Sequence, residues 1–546
     1  MNFAFSAMAA RSDMAPARWR KPLLSWLDGI EAGWAVPLLL VVFLTVWMAF
    51  LVIAYLGGDL HADVLETWTL GRTFEWGAGS KHPPLMAWVA RAWTSVFPLA
   101  NWSFQLMALT NSAIALWAVD LISRHFVKGD KRLVVLLLLM LLPTYQLHAQ
   151  RFNANTVLLA TWPLATYCFL RSFETRRIVW AVAAGATAAL AMLGKYYSVF
   201  LVSSFVLAAI CHPQRRLYFG STAPWISTIV GVAALGAHVH WLVTTGAMPF
   251  TYAIATHAGK SFGHSLTEVR LFILGIALVL ALPTVTWVLI AGNRLKKLRQ
   301  DFLTMNSGLL LLSFISVGTI ILPVITSIGL GADLPPIWAL QGLFLFIIVI
   351  VCSTSYPIER FHSVNLAVFV FGVAVLAVVV AAPAHALYRN VHPLAEGRNF
   401  YRLSAIELTR IWHEHSDTAL PTIGGDDGLA FAMAFYSPDH PKYEERLVFP
   451  VTEIKPLEAP FKRGWAALCF NEQVACIASM EKTASRASRF FRSRFVVQSA
   501  LLGQHGTTQG FTAIVVPPSV EGTTTASPPV GASEDSNTEP DRKLKP

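Results

Sequence analysis

The sequence predicts a polytopic α-helical membrane protein with a small α/β domain near its C-terminal end. The chain is 55% hydrophobic and only 14% charged. Its apolar residues are concentrated in many separate runs, and its basic residues lie mostly in short segments between those runs. A soluble domain has more charge and fewer long apolar runs. The net charge of +10 therefore does not predict nucleic-acid binding, because cations in short loops are typical topology signals.

Eleven apolar segments are candidates for membrane-spanning helices. They lie at about 34–56, 101–122, 133–143, 155–171, 178–193, 198–211, 223–245, 270–291, 305–325, 338–351 and 364–385. Several are shorter than the ~20 residues that a span needs, so their ends must extend into flanking residues. Residues 84–97 form a further apolar stretch, which we expect to lie at the membrane interface. No small-residue cleavage site follows the first run, so it is predicted to be a retained helix rather than a signal peptide.

The distribution of basic residues predicts the orientation of these spans. If the N-terminal segment 1–33 is cytoplasmic, the cytoplasmic loops together hold fourteen Arg and Lys residues. These loops are 124–132, 171–177, 212–216, 293–300 and 357–362. The opposite loops hold only five, and they are 57–83, 144–154, 194–197, 246–269 and 326–337. The positive-inside rule therefore supports eleven spans and places loop 57–83 and the C-terminal region outside the cytoplasm.

The chain divides by composition after the last span. Residues 34–387 are the predicted membrane domain, and residues 388–516 mix polar and apolar residues as a small α/β domain does. Strand-like runs in this domain include RLVFPV (446–451) and FTAIVV (511–516). Residues 517–546 are rich in Pro, Ser, Thr and Glu, which predicts a disordered tail. In an oxidising periplasm Cys469 and Cys476 could form a disulfide; two buried free thiols are the alternative.

Loop 57–83 concentrates acidic residues on the outer side of the membrane. A carboxylate there could act as a general base, bind a cation or simply be solvated. The following KHPPL segment (81–85) is predicted to be extended, because proline restricts both its own φ and the residue before it. A constrained return to the membrane favours a loop that holds a side chain in place. The four acids of the loop are Asp59, Asp63, Glu66 and Glu75.

Two further outer segments carry polar residues beside apolar helices. In PTYQLHAQRFNANTVLL (143–159), Asn155 could cap the following helix, as Asn153 or Thr156 also could, or it could contact a ligand. In AMLGKYYSVF (191–200), Lys195 could extend to the interface, or it could meet the phosphate of a lipid-linked substrate at headgroup depth.

A divalent cation is an open alternative for the acidic loop. Asp59, His61 and Asp63 alternate along the chain, and alternating residues of an extended segment share a face. Three such neighbours seldom complete a metal shell, so no metal site is assigned. His257, Lys260 and His264 also lie on the outer face, where they could bind an acidic acceptor or a metal, or be solvated.

Four sequence blocks resemble one group of enzymes. The pattern D-x(12)-W-G-x(4)-HPPL-x-x-W begins at Asp63 and ends at Trp88. Together with RFNANTVLLATWPL, LGKYYSVFLV and GGDDGLAFAMAFYSPDHP, it is similar in content and order to the bacterial protein O-mannosyltransferase-like glycosyltransferases. That group includes the aminoarabinose and galacturonic acid transferases that modify lipid A or lipopolysaccharide core. The resemblance spans roughly residues 34–450.

This resemblance implies a GT-C fold that uses a polyprenyl-phosphate sugar on the non-cytoplasmic face. It implies that Asp63 is the catalytic base and that Lys195 lies near the donor phosphate. Two departures accompany it: the group's common Asp-Glu pair reads Asp63-Val64 here, and Asn155 stands where many relatives have Asp. The remaining candidates are Glu66 as a second catalytic acid, Arg151 and Tyr196 on the donor side, and His82, Asp59 and Asn155 as loop-anchoring or acceptor-side residues.

The expected function is transfer of a sugar to an envelope acceptor in the bacterial inner membrane, with inversion at the sugar carbon. A lipid phosphate is already a good leaving group, so one positioned carboxylate and one cation are enough for the chemistry. The acceptor is expected to be lipid A, lipopolysaccharide or another glycolipid. A protein Ser or Thr is the alternative acceptor, and the rival functions are a membrane transporter and a non-enzymatic envelope scaffold.

Overall fold

The computed structural model describes residues 21–447, except residue 395, and residues 462–518. The predicted cytoplasmic segment up to residue 20, most of the RLVFPV run and the tail from residue 519 lie outside the described residues. All further structural statements concern the described part of the chain.

The membrane domain is built from helices, as predicted. Seven of the described helices are long and apolar enough to cross a membrane: Ala35–Ala54, Asn101–Phe126, Ala223–Thr244, Phe262–Ala291, Ser307–Leu330, Pro336–Ser353 and Arg360–Val391. Shorter apolar helices are Asp130–Leu139, Leu158–Thr175, Ile178–Gly194 and Val199–Cys211. Each of the eleven predicted apolar segments lies largely within one of these helices. The number of actual spans stays a prediction, because four of the eleven helices are short.

The remaining helices of this domain lie outside the long spans. They are Lys21–Ala32, Ala62–Gly71, Leu85–Thr94, Arg215–Phe219, Met248–His257 and Leu298–Leu303. The Leu85–Thr94 helix occupies most of the stretch predicted to be interfacial. Its ten residues extend only about 15 Å, which is too short to cross a bilayer.

The KHPPL segment differs from the prediction at its second proline. Pro84 has φ −85° and ψ −11° and forms the N-terminal boundary of the Leu85–Thr94 helix, so the segment is not extended throughout. Proline suits this position because its fixed φ matches the first turn of a helix, where its missing N–H is not needed. An antiparallel bridge between Ala78 and His82 holds the chain just before it.

The C-terminal domain is α/β, as predicted. Its five strands are β1 (Thr422–Gly425), β2 (Lys442–Tyr443), β3 (Trp465–Phe470), β4 (Phe491–Leu501) and β5 (Gln504–Val516). Their order is β2-β1-β3-β5-β4, with β1 parallel to β2 and β3, and β5 antiparallel to β3 and β4. Its helices are Tyr401–His413, Asp427–Tyr436 and Val474–Ala484.

The two strand-like runs of the sequence have different outcomes. FTAIVV lies within β5, as predicted. The described start of RLVFPV belongs to the 3₁₀ turn Glu445–Leu447, so the prediction of a strand was wrong there. Cys469 and Cys476 are joined by a disulfide between the end of β3 and the following helix.

The C-terminal domain packs directly on loop 57–83. Tyr436 accepts a hydrogen bond at its hydroxyl from the backbone N–H of Leu60 and donates one to Asn101. The rings of Phe435 and Trp68 meet edge to face at 5.3 Å. A single hydrophobic cluster contains buried residues from both the membrane helices and this domain, so the acidic loop lies between two packed surfaces.

Candidate active site

The acidic loop contains a short helix, Ala62–Gly71, which we call the loop helix. His61 begins it, because Nδ1 of His61 accepts a hydrogen bond from the backbone N–H of Asp63 at 3.2 Å. Val64, Leu65 and Trp68 are buried in the protein core. Asp63 and Glu66 are three residues apart, so they lie on one face of the helix. The sequence pattern had predicted a loop here, and a helix gives both acids fixed positions.

The Asp63 carboxylate is held by a neutral group and stays accessible. Nδ2 of Asn153 donates a hydrogen bond to it at 2.6 Å, and Nδ1 of His61 lies 3.5 Å away. The side chain is 38% exposed. A carboxylate that is positioned by an amide and open to solvent has a lone pair free to accept a proton, as a general base requires.

Lys195 is held in the same way. Its Nζ donates a hydrogen bond to Oδ1 of Asn155 at 2.5 Å and lies 4.4 Å from the centre of the Trp338 ring. Burial lowers the pKa of Lys195 to about 7, and the charge of Asp63 opposes that shift. The ammonium is thus close enough to Asp63 to feel its charge, and Lys195 itself has no ion-pair partner within 4 Å in the described structure.

Asn153 and Asn155 therefore connect the two charged residues. The side-chain oxygen of Asn153 accepts hydrogen bonds from the backbone N–H groups of Asn155 and Thr156. This closes a local turn of the kind that Asn favours. Asn153 orders the turn while its amide nitrogen binds Asp63, and Asn155 binds Lys195. The capping alternative is wrong for Asn155, since Val157 is the N-cap of the following helix and has no side-chain cap.

Three histidines near these groups are shifted towards the neutral form. Burial lowers the pKa of His82 to about 4, with the charges of Lys195 and Lys81 adding to the effect. Burial and the charge of Arg151 lower the pKa of His148 to about 4, and burial also lowers the pKa of His61. At neutral pH the cations of the site are consequently lysine and arginine side chains.

Arg151 and Tyr196 differ in whether their side chains have a hydrogen-bond partner. Arg151 lies near enough to His61 and His148 to affect their pKa values, and its guanidinium has no hydrogen-bond or ion-pair partner among the described residues. The Tyr196 hydroxyl is 3.1 Å from Nε2 of His238, a contact that ties it to the neighbouring helix.

Glu66 lies in a different electrostatic environment from Asp63. Burial raises the pKa of Glu66 to about 7; Lys81 opposes this shift, and Asp63 and Asp427 add to it. Lys81 itself lies 3.3 Å from the Asp427 carboxylate, whose other oxygen accepts a hydrogen bond from Tyr443 at 2.7 Å. A carboxyl with a pKa near neutrality can give or take a proton under physiological conditions.

Asp59 is turned away from the site, towards the C-terminal domain. Its carboxylate accepts a hydrogen bond from the backbone N–H of Arg402 at 2.8 Å, and its backbone exchanges hydrogen bonds with Arg398. Burial raises the pKa of Asp59 to about 6. Asp59 thus anchors the start of the loop. The sequence had offered this role for it, with an acceptor-side role as the alternative.

The suggested grouping of Asp59, His61 and Asp63 around a metal ion is wrong. The suggestion assumed an extended segment, whereas the chain enters a helix at His61 and the Asp59 carboxylate binds Arg402. Within residues 21–447 and 462–518, no three His, Cys, Asp or Glu side chains are arranged to hold a metal ion. His257 and His264, which the sequence predicts on the outer face, contact the Asp333 carboxylate instead, at 3.1 and 2.8 Å.

We call the convergent residues the outer site: Asp63, Glu66, Lys81, His82, Arg151, Asn153, Asn155 and Lys195. Sequence reasoning missed three neighbours that hold it: Trp338 under Lys195, Arg398 at the start of the loop and Asp427 beside Lys81. Asp427 lies in the GGDDG block, which was a usable signal. Trp338 and Arg398 are more than 140 residues from their partners and have no local motif.

Comparison with known proteins supports the resemblance seen in the sequence. Residues 81–241 match the family described as dolichyl-phosphate-mannose-protein mannosyltransferase. This range contains the HPPL, Asn153 and Lys195 blocks, but not Asp63. Comparison with curated proteins gives no significant match.

Solved structures extend the likeness to the whole architecture. The crystal structure of ArnT from Cupriavidus metallidurans bound to undecaprenyl phosphate superposes with a TM-score of 0.54 at 13% identity, over 88% of this chain and 98% of that one. The apo structure of the same protein gives 0.52 at 12% identity, with the same coverage. The chain is a multi-pass membrane protein with the GT-C fold, and the predicted resemblance to the protein O-mannosyltransferase-like group is confirmed.

Proposed function

We propose that the protein is a membrane glycosyltransferase that moves a sugar from a polyprenyl-phosphate donor to an envelope acceptor on the periplasmic face. One observation carries the proposal: Asp63 and Lys195 are brought together by Asn153 and Asn155 without neutralising each other. The site thus offers a base and a cation, which are the two groups that displacement of a lipid phosphate requires. The ArnT structure with undecaprenyl phosphate supports a donor of this class.

In the proposed reaction, the acceptor hydroxyl attacks the anomeric carbon of the sugar while the bond from that carbon to the phosphate oxygen breaks. Asp63 takes the hydroxyl proton, a role worth about 10²–10⁴-fold in rate. Lys195 stabilises the negative charge that develops on the departing phosphate, and Arg151 supplies further positive charge. The direct displacement inverts the configuration at the anomeric carbon.

Glu66 provides a second carboxyl in place of the acid that is absent at Val64. It lies on the same face of the loop helix as Asp63, and burial raises its pKa to about 7. It can therefore exchange a proton with Asp63 or with the acceptor near neutral pH. We assign it as a helper rather than as the base, because Asp63 is the acid that is held by Asn153.

We propose lipid A, lipopolysaccharide core or another envelope glycolipid as the acceptor. The match to a family described as protein mannosyltransferases makes Ser and Thr residues of envelope proteins the second candidate. The proposed location is the bacterial inner membrane, with the N-terminus cytoplasmic and the outer site periplasmic, as the distribution of basic residues predicts.

The test is mass spectrometry of lipid A and core from a deletion strain, together with glycoproteomics of the envelope. A sugar should disappear from one acceptor class and return with the wild-type gene or with Glu75→Gln, an acid of the same loop outside the outer site. Asp63→Asn should be inserted at normal levels and lower the transfer rate by about 10²–10⁴-fold. Near-complete restoration by Asp63→Asn would overturn the assignment of the base.

A transfer assay in detergent separates the enzyme from a transporter. Purified protein with a polyprenyl-phosphate sugar and an extracted acceptor should form product without any membrane gradient. If product formed only in sealed vesicles with a gradient, the proposal of a transferase would fail.

A further inference from the structure

A polar cavity lies at the opposite end of the membrane domain from the outer site. It has a volume of about 390 Å³ and opens where basic segments 124–132 and 171–177 meet. We call it the basic cavity; its lining residues are Glu31, Leu121, Arg124, His125, Val127, Lys128, Arg132, Tyr167 and Arg171. Four arginine and lysine side chains face one carboxylate in this lining.

Two of the cations are fixed in position by the protein. Arg132 forms a two-point contact with Asp120, at 2.5 and 2.6 Å, and both side chains are nearly buried. Arg171 lies over the ring of Trp180, 5.6 Å from its centre, and 3.3 Å from Nδ1 of His125. These contacts fix the orientation of both guanidinium groups, since a planar guanidinium with partners on two sides has little rotational freedom.

The carboxylates around the cavity are already engaged. Glu31 accepts a hydrogen bond from the backbone N–H of Gly129, Asp120 binds Arg132, and Glu174 contacts His125 at 2.9 Å. No nearby acid is therefore left to pair with the other two cations of the lining.

Three donors remain open at the cavity. Arg124 and Lys128 are exposed, and neither has a hydrogen-bond or ion-pair partner in the described part of the chain. The Tyr167 hydroxyl likewise has no partner there. Leu121, Val127 and Tyr167 add apolar surface to the same lining, and Leu121 and Val127 are buried.

We propose that the basic cavity binds the headgroup of an anionic phospholipid. Guanidinium, ammonium and phenol donors match the oxygens of a phosphate. Apolar side chains in the lining, two of them on predicted membrane helices, suit the glycerol and upper acyl chains of a lipid better than they suit free phosphate. Basic pockets between membrane helices on the cytoplasmic side bind such headgroups. The positive-inside rule explains why cations lie in these loops, but it does not require them to converge on one cavity. This inference is independent of the proposed enzymatic function.

Lipid titration of the purified full-length protein in detergent, followed by native mass spectrometry, tests the proposal. The probes are phosphatidylglycerol, zwitterionic phosphatidylcholine and inorganic phosphate. The test variant is Arg124→Gln with Lys128→Gln. Its control is Arg215→Gln with Arg216→Gln, which removes the same charge from exposed positions on the same predicted face. Elution as a monodisperse peak checks that each variant is folded.

Phosphatidylglycerol should bind the wild type and the control equally, and should bind the test variant about 30-fold more weakly. That factor corresponds to about 2 kcal/mol, as expected for two cations at an anionic lipid surface. Equal phosphatidylglycerol binding by all three proteins, or equal binding of phosphatidylcholine, would overturn the proposal. Inorganic phosphate binding as tightly as phosphatidylglycerol would show that the cavity takes a free anion, and would overturn the assignment to a lipid.

Discussion

The two ends of the membrane domain hold their charged side chains in different ways. At the outer site, Asp63 and Lys195 are each bound by a neutral amide, from Asn153 and Asn155 respectively. An amide positions a charged group through a hydrogen bond but leaves its charge in place. Such a group remains available to a ligand of opposite charge or to a proton.

At the opposite end, opposite charges bind each other directly. Arg132 and Asp120 form a nearly buried pair, and Arg360 contacts both Asp28 and Asp130, at 3.0 and 3.2 Å. Arg360 joins segments that are distant in sequence, whereas Arg132 and Asp120 join two consecutive helices. We infer that the pairs made by Arg132 and Arg360 serve the fold, whereas Asp63 and Lys195, each held by an amide, are kept for function. The predictions below test this difference, from the largest expected effect to the smallest.

Asp120→Asn should destabilise the folded protein by about 3–5 kcal/mol, because it leaves Arg132 in a nearly buried position without its counter-charge. The measurement is the midpoint of denaturant-induced unfolding in detergent. Transfer activity per folded molecule should not change. Asp120→Leu combined with Arg132→Met should recover most of the stability, since apolar replacement of a buried pair is often neutral. Full stability of the single variant would contradict a structural role for the pair.

Lys195→Met should lower kcat/KM for the lipid-linked donor by about 10²-fold, the smaller effect seen when one stabilising donor is removed from a developing anion. Removing a desolvated cation should not destabilise the fold. Lys260→Met is the matched control, because Lys260 is an exposed lysine of the same predicted face. If both variants lost activity equally, Lys195 would have no special place at the phosphate.

Binding of polyprenyl phosphate should weaken as the pH rises above neutrality. Burial lowers the pKa of Lys195 to about 7, so most molecules carry the ammonium at pH 6 and only about a tenth at pH 8. The dissociation constant should increase by up to about tenfold over this interval. Lys195→Arg should flatten the profile, because guanidinium stays charged. A profile that is unchanged in this variant would assign the pH dependence to another group.

Asn155→Asp converts the outer site to the paired arrangement of the opposite end. The new carboxylate should raise the pKa of Lys195 and compete with the donor phosphate for its charge. We expect the dissociation constant for polyprenyl phosphate to rise a few-fold, to about tenfold at most, with its pH midpoint displaced upwards. Titrations of this variant and of Asn155→Ala separate the added charge from the lost amide. Tighter binding by Asn155→Asp would contradict the proposed role of neutral partners.

The helices, and the proposed roles of Asp63 and Lys195, could be predicted from the sequence. Hydropathy located all eleven apolar segments because desolvation of the backbone requires helices in a membrane. The four sequence blocks identified Asp63 and Lys195 through their resemblance to known enzymes. The proposed catalytic pair could be named because each residue lies in a block with a recognisable pattern.

The remaining predictions depended on where a helix or turn begins, which the alternation of residues along an extended segment does not reveal. The metal hypothesis failed because His61 starts a helix, which turns Asp59 and Asp63 in different directions. The extended KHPPL prediction failed at Pro84, although proline at a helix start was a usable signal. Asn153 and Asn155 could not be told apart, because their roles depend on which side chain closes the turn.

The contact of Arg398 and Arg402 with Asp59 couples the C-terminal domain to loop 57–83. The position at which the loop leaves the membrane is set by residues that follow the last membrane helix by about ten positions. The C-terminal domain is thus a structural counterpart of loop 57–83, and exchanging it for that of a relative would require matching this contact. Chimaeras of such proteins should take the loop and the whole C-terminal domain from one parent, because Tyr436 and Phe435 also contact the loop.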